Sequence, residues 1–258
     1  MRAKIKHLLL VSLLFTFISF GGMLGPPGCS DNGTMYYPQD SHITQPDSAV
    51  LRAILDSNGL QFLNVDTVST GEYGRVVALD LSTQNLDSFY FPEIAANLEA
   101  MRTMNLGRNR LSGVPANVWL LEFLQELILD SNRISAFPAE FFSDSNTAPL
   151  YPGRILFLRN LKTLSLSYNR LDSIPATIQN LTTLQRIRLI SNPLRDLPLE
   201  IGNIASLLES TGDTWSGYNG LDVTYDHICN PSPGLDSLLD RFAKRDWRVT
   251  QICPAPMP

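Results

Sequence analysis

The chain has 258 residues, 44% of them hydrophobic, which is enough to bury one sizeable core and too apolar for a long disordered protein. Its 25 acidic and 20 basic residues give a net charge of −5; setting aside Arg2, Lys4 and Lys6 in the first 28 residues leaves 17 basic against 25 acidic, a net of −8. A domain that acidic repels phosphate backbones and anionic bilayers, which argues against nucleic acid as a partner and against wide contact with a membrane surface.

The N-terminal MRAKIKH is followed by LLLVSLLFTFISF, an apolar run too short to span a bilayer comfortably, so residues 1–28 read as a secretion segment. In GGMLGPPGCSDNG, Cys29 follows Gly28 and precedes a polar stretch. This resembles the lipobox of bacterial lipoproteins, which implies a lipid on Cys29 and anchoring at the cell envelope, with Ser30 leaning towards an outer membrane or cell surface. Pro26 and Pro27 depart from that family's aliphatic and small residues, and cleavage after Ser19-Phe20-Gly21 is the competing reading. Residues 29–46 are polar and without apolar period, a disordered tether with a reach of roughly 23 Å.

Residues 47–75 read as an N-terminal cap. Asp47 suits a helix N-cap, and Val50, Leu51, Ile54 and Leu55 recur at helical spacing until Gly59 ends the pattern. Leu60 to Val68 looks strand-like. Together the two would cover the open N-terminal edge of a stacked core.

From Val76 onwards the sequence repeats. VVALDLSTQNL, MRTMNLGRNRL, LQELILDSNRI, LKTLSLSYNRL and LQRIRLISNPL each fit LxxLxLxxNxL. The first has Gln84 where the others have Asn109, Asn132, Asn169 and Asn192, and a looser sixth, YNGLDVTYDHI, has Asp226 there. Between them VPANVWLL, FPAEFF, IPATIQNL and LPLEIGNI resume apolar spacing after a proline. Over roughly Val76 to Ile228 the chain resembles the leucine-rich-repeat family. The resemblance implies a short right-handed α/β solenoid with a parallel sheet on the concave side, irregular or short helical segments on the convex side, and caps at both ends. It also implies that the asparagines satisfy backbone groups where each strand turns out, and that no repeat stands alone. Asn109 to Asn132 and Asn169 to Asn192 are each 23 residues apart, whereas Asn132 to Asn169 is 37 and Asn192 to Asp226 is 34. Insertions near 143–157 and 207–218 account for the excess.

Three cysteines are an odd count for a secreted protein. If Cys29 carries lipid, Cys229 and Cys253 remain as a pair, and a bridge between them would contribute roughly 3.5 kcal/mol by loop entropy. Residues 229–258, with Leu235, Leu238, Leu239 and Phe242 at helical spacing before Trp247, resemble the cysteine-paired C-terminal cap of extracellular leucine-rich-repeat proteins, which implies that Cys229 and Cys253 bond.

Material for catalysis is thin. His7 lies in the secretion segment, His42 in the tether, and only His227 in the folded region, beside a Cys229 that a disulfide would consume. Asp222 and Asp226 are one acidic pair without further ligands at cation-binding spacing, and no phosphate loop, nucleophile elbow or metal motif occurs. No enzyme, metal or cofactor is expected.

A binding surface is expected instead. Strand side chains alternate, so Asp80/Ser82, Asn105/Gly107, Ile128/Asp130, Ser165/Ser167, Arg188/Ile190 and Asp222/Thr224 would form concave columns, with Arg108, Ser131, Tyr168, Ser191 and Tyr225 next to them. Arg186, Arg188, Tyr168, Ile128 and Ile190 are the expected anchors, with Arg108, Asp130 and Tyr225 beside them, because exposed Arg, Tyr and aliphatic groups dominate interface energetics. Arg110, Arg133 and Arg170 each follow the repeat asparagine and read as consensus filling on the surface. Six strands at ~4.8 Å make a sheet about 24 Å wide, which suits a peptide, a loop or a small domain. The expected function is recognition of a protein or peptide, or a polysaccharide, by a monomer at the cell envelope. An envelope enzyme with its site in the inserted loops or sixth unit, or a purely structural envelope role, are the alternatives.

Overall fold

The structure, a computed structural model, describes residues 45–115, 117–137, 158–207, 220–243 and 247–253. Residues 1–28, Cys29, the tether as far as residue 44, the first insertion, and the second insertion except Leu207 lie outside the described residues.

Among the described residues, seven strands form one sheet in chain order: β1 (Ser69–Glu72), β2 (Arg75–Asp80), β3 (Thr103–Asn105), β4 (Glu126–Ile128), β5 (Thr163–Ser165), β6 (Arg186–Arg188) and β7 (Gly220–Asp222). Strands β2 to β7 are parallel, one from each repeat unit, in a register that aligns Leu79, Met104, Leu127, Leu164, Ile187 and Leu221. Strand β1 is an addition to the six expected strands and pairs antiparallel with β2.

Register decides the core. Each three-residue strand sends its middle residue inwards, and the next leucine of the motif lies just beyond it: Leu106, Leu129, Leu166 and Leu189 are each 0% exposed and lie in one continuous cluster. Burial of one such side chain contributes about 1.5–3 kcal/mol, but only when the neighbouring coil supplies the other wall. The convex returns are 3-10 turns at Glu93–Asn97, Val118–Leu120, Ala176–Asn180 and Leu199–Asn203. Three of them start after a proline, Pro92, Pro175 or Pro198, whose fixed φ and missing N–H suit a helix start.

The asparagines form a hydrogen-bonded ladder along the coil edges. Asn132 Nδ2 donates to Leu106 O of the preceding coil (3.0 Å) and to Leu129 O of its own (2.9 Å), while its Oδ1 accepts from Leu111 N (3.0 Å). Asn109, Asn169 and Asn192 repeat this pattern, and all four side chains are buried. Each rung satisfies three backbone groups whose burial unpaired would cost about 1–3 kcal/mol apiece.

At the N-terminal end, α1 (Gln45–Ser57) buries Val50, Leu51, Ile54 and Leu55 as the spacing predicts, and Gly59 comes after it with φ +73. Asp47, however, is not the N-cap. It lies inside the helix, 2% exposed, where its carboxylate accepts from Val76 N (2.8 Å) and Arg75 Nε (3.0 Å), pinning α1 to β2. Leu60 to Val68 is not a strand either: a turn leads to α2 (Val65–Val68), capped by Asn64 Oδ1 accepting from Asp66 N, and Phe62 is 75% exposed.

At the other end, Cys229 and Cys253 are bonded. Helix α3 (Pro233–Phe242), N-capped by Ser232, buries Leu235, Leu238, Leu239 and Phe242. Leu221 of β7 bridges to Ala243, so the last strand does not end on an open edge. Gln251 completes the ladder. Its Nε2 donates to Val223 O (2.8 Å) and its Oε1 accepts from Ile228 N (3.0 Å), the two bonds that a seventh asparagine would make to the preceding coil.

Candidate binding surface

The concave face lies between the hydrogen-bonded ends of the sheet, and its strand positions alternate as expected. Ile128, Asp130, Arg186, Arg188 and Ile190 are half-buried there. Ser165, Ser167, Asp222 and Thr224 belong to the same columns but are at most 3% exposed, which corrects the expectation that every column position faces solvent. Short side chains between long neighbours have little surface of their own: Ser165 pairs across to Ile128 on one side and Arg188 on the other. Gly107 sits in a crowded spot, since a Cβ there would stand 3.1 Å from Asn105 Oδ1 and 3.4 Å from Asp130 O, so a larger residue requires the Asn105 side chain to shift.

Polar groups on this face are tied together. Asp130 accepts from Ser165 Oγ (2.7 Å to Oδ1) and from Ser167 N (2.7 Å). Burial pushes the Asp130 carboxyl above the usual carboxylate range, and these two hydrogen bonds and the nearby Arg188 guanidinium pull it back down. Asn105 Nδ2 donates to Asp80 Oδ2 (3.1 Å). A shallow groove of about 260 Å³ lined by Asp80, Thr103, Asn105 and Ile128, among others, opens at the N-terminal end. It falls below the ~300–1,000 Å³ of ordinary small-molecule sites.

Beside the strands runs a row that residue type alone does not announce. Thr83, Arg108, Ser131, Tyr168, Ser191 and Tyr225 all have φ between 55 and 62, in the left-handed region. A non-glycine residue there costs roughly 1–2 kcal/mol, and the ladder offsets it: Arg108 N donates to Asp130 O (2.8 Å), Ser131 N to Ser167 O (2.8 Å), Tyr168 N to Ile190 O (2.6 Å) and Ser191 N to Thr224 O (2.9 Å). Arg108 is exposed, and Tyr168 and Tyr225 are 57% and 52% exposed. The sequence places Arg108, Ser131, Tyr168, Ser191 and Tyr225 next to the columns, one before each ladder residue, but nothing in the residue types marks that position as left-handed.

The sixth unit breaks the ladder. Asp226, 0% exposed, accepts from Asn192 N through Oδ1 (2.6 Å), but Oδ2 is buried without a hydrogen-bond partner. Burial, with a further push from Asp222, drives its carboxyl up to about 8 against the pull of the Asn192 bond. A neutral acid there carries a proton where the other rungs carry an amide. His227 is half-buried with Nδ1 unpartnered, and the Cys229 thiol is consumed by the disulfide, so the two do not form a nucleophile and base. Among the described residues no group of three or more His, Cys, Asp or Glu side chains is placed to hold a metal ion, and no helix is long and apolar enough to cross a membrane.

Stacked parallel strands, inward leucines and an edge ladder of asparagines define a leucine-rich-repeat solenoid, and residues 160–181 match the family model for the Leucine Rich Repeat. The chain has the leucine-rich-repeat fold. It is similar to Tsukushi of Rattus norvegicus, 30% identical over 215 residues that cover 77% of this chain and 60% of that protein. It is also 30% identical over 148 residues, 52% of this chain and 6% of the relative, to the probable inactive serine/threonine-protein kinase roco10 of Dictyostelium discoideum. The matches therefore span less than two thirds of either relative. Among solved structures, a plant ice-binding protein shares the fold with a TM-score of 0.50 at 19% identity, covering 72% of this chain and 57% of that one.

Proposed function

We propose that this chain is a non-catalytic binding module of the cell envelope that recognises a protein or peptide through its concave face and the adjoining left-handed row. Arg186, Arg188, Ile128, Ile190 and Asp130 supply the floor, and Arg108, Tyr168 and Tyr225 the rim. The observation that carries this reading is the pair Tyr168 and Tyr225, more than half exposed on backbone locked in a strained conformation and two strand spacings apart, about 10 Å. Arg188 stands on the strand between them. Large aromatic and Arg groups presented on rigid backbone lose little freedom on association, which is how a small surface becomes a hot spot.

Export by the segment 1–28 and a lipid on Cys29 would hold this surface near its membrane. The test is capture of partners from native envelopes by the full chain and by the double variant Arg188→Ala, Tyr168→Ala, both checked for folding by circular dichroism. Loss of a specific crosslinked partner in the variant supports the reading, and equal capture by both refutes it. The intact mass of the mature chain decides whether Cys29 is acylated.

A further inference from the structure

We propose that the disulfide between Cys229 and Cys253 is a thiol-sensitive latch that sets whether Tyr225 is held on its strained backbone or released. Tyr225 ends the left-handed row. Arg108, Ser131, Tyr168 and Ser191 each donate their N–H to a carbonyl of the following coil, whereas among the described residues the Tyr225 N–H has no such acceptor. Its conformation is fixed instead by the segment that follows Trp247. Gln251 Nε2 donates to Val223 O (2.8 Å), Ile252 N donates to Asp226 O (2.7 Å), and Gln251 Oε1 accepts from Ile228 N (3.0 Å). Both flanks of Tyr225 are thus tied to residues 251 and 252, which stand in for the coil that is not there.

That segment has little of its own to hold it. Trp247 is buried, but none of residues 248–253 is, and Val249 and Ile252 are 84% and 54% exposed. The bridge keeps it in place, joining the residue after Ile252 to the residue after Ile228. Cys253 is exposed and Cys229 half-buried, and exposed disulfides are the ones that thiols open. Attack by one thiolate of a dithiol reductant on Cys253 Sγ breaks the S–S bond, forms a mixed disulfide and expels Cys229 Sγ as a thiolate, which takes up a proton. The reductant's second thiol then displaces Cys253 Sγ, leaving two cysteine thiols and one oxidised dithiol. Opening stays local, because Ala243 still bridges to Leu221 and α3 keeps its buried face. The consequence for recognition rests on the role proposed above for Tyr225 at the rim: a released ring has to be ordered again on association, which weakens binding.

The test treats the folded full chain with dithiothreitol without denaturant and locates the freed thiols at Cys229 and Cys253 by alkylation and mass. Hydrogen exchange and chymotrypsin cleavage are then followed in both states. The expected result is an opened bridge, exchange at Ile228 and Ile252 faster by about tenfold or more, and a comparable rise in cleavage after Tyr225. Exchange at Leu129 and Leu166, and cleavage after Tyr168, whose N–H keeps its bond to Ile190 O (2.6 Å), should change less than about twofold. None of these readouts needs a partner, so they stand whether or not the recognition reading does. A partner captured by the oxidised chain should be captured about threefold less, or lower still, by the opened one. A bridge that opens only in denaturant, unchanged rates at Ile228 and after Tyr225, faster exchange in every coil alike, or undiminished capture of such a partner overturns the proposal.

Discussion

Replacing Asp226 by Asn tests the ladder and its electrostatics together. In the native chain the carboxyl is raised from 3.8 to about 8 by burial, so between those values the folded state holds a proton that the unfolded chain has released. The contribution of Asp226 is therefore complete below pH 3.8, is lost as pH rises, and is gone above pH 8. The slope is about 1.4 kcal/mol per pH unit, or about 3 kcal/mol between pH 5 and pH 7. An asparagine does not titrate, and its amide can donate to Leu189 O just as Asn192 Nδ2 donates to Leu166 O one coil earlier. Urea unfolding of both proteins, disulfide intact, at pH 5, 6, 7 and 8 should show Asp226→Asn gaining on the native chain as pH rises, with the two closest at pH 5. The difference removes the parallel but weaker effect of Asp130, also raised by burial. A stability difference that stays constant from pH 5 to pH 8 would mean that Asp226 ionises like a surface acid, and would refute the account of the sixth unit.

The same geometry sets three further outcomes. Asn169→Ala strips Leu129 O, Leu166 O and Ile134 N of a partner and should lower unfolding free energy by about 2–4 kcal/mol, read in the urea midpoint. Gln251→Ala removes the terminal rung at Val223 O and Ile228 N; it should cost about 1–3 kcal/mol and raise hydrogen exchange at Ile228 before any coil nearer the centre. Tyr168→Gly should raise stability by about 1 kcal/mol through relief of the left-handed backbone while weakening partner capture, a divergence that a merely structural tyrosine would not produce.

Much of the fold was legible because its signal is periodic. Inward positions carry Leu, Ile or Met from Leu79 to Leu221 without a break, and an asparagine recurs at constant phase in the second to fifth units. The misreadings occur where periodicity stops. Leu60, Leu63, Val65 and Val68 suit either a strand or a turn with a short helix, and Asn64 settles the matter through a local cap that an apolar pattern cannot register. Asp47 looks like a cap by its place ahead of an apolar run, but the helix begins at Gln45 and the carboxylate turns to Arg75 and Val76, partners 28 and 29 residues away. On the candidate surface, alternation located the right columns but not their exposure, because a serine between an isoleucine and an arginine is covered by chains from other coils. Asp226 stood out in the sequence as a loose fit; that one of its oxygens lacks a partner emerges only once the neighbouring coils are in place.

The glutamine at position 251 has a wider implication for how an array of this kind can change in length. Interior rungs are interchangeable, each meeting an identical neighbour above and below, so coils can be gained or lost between Asn109 and Asn192 without new chemistry. Only the last needs a plug that is not itself a coil, and here that plug comes from a separate, covalently tethered segment. Duplication can lengthen such a ribbon from within while its terminus is inherited whole.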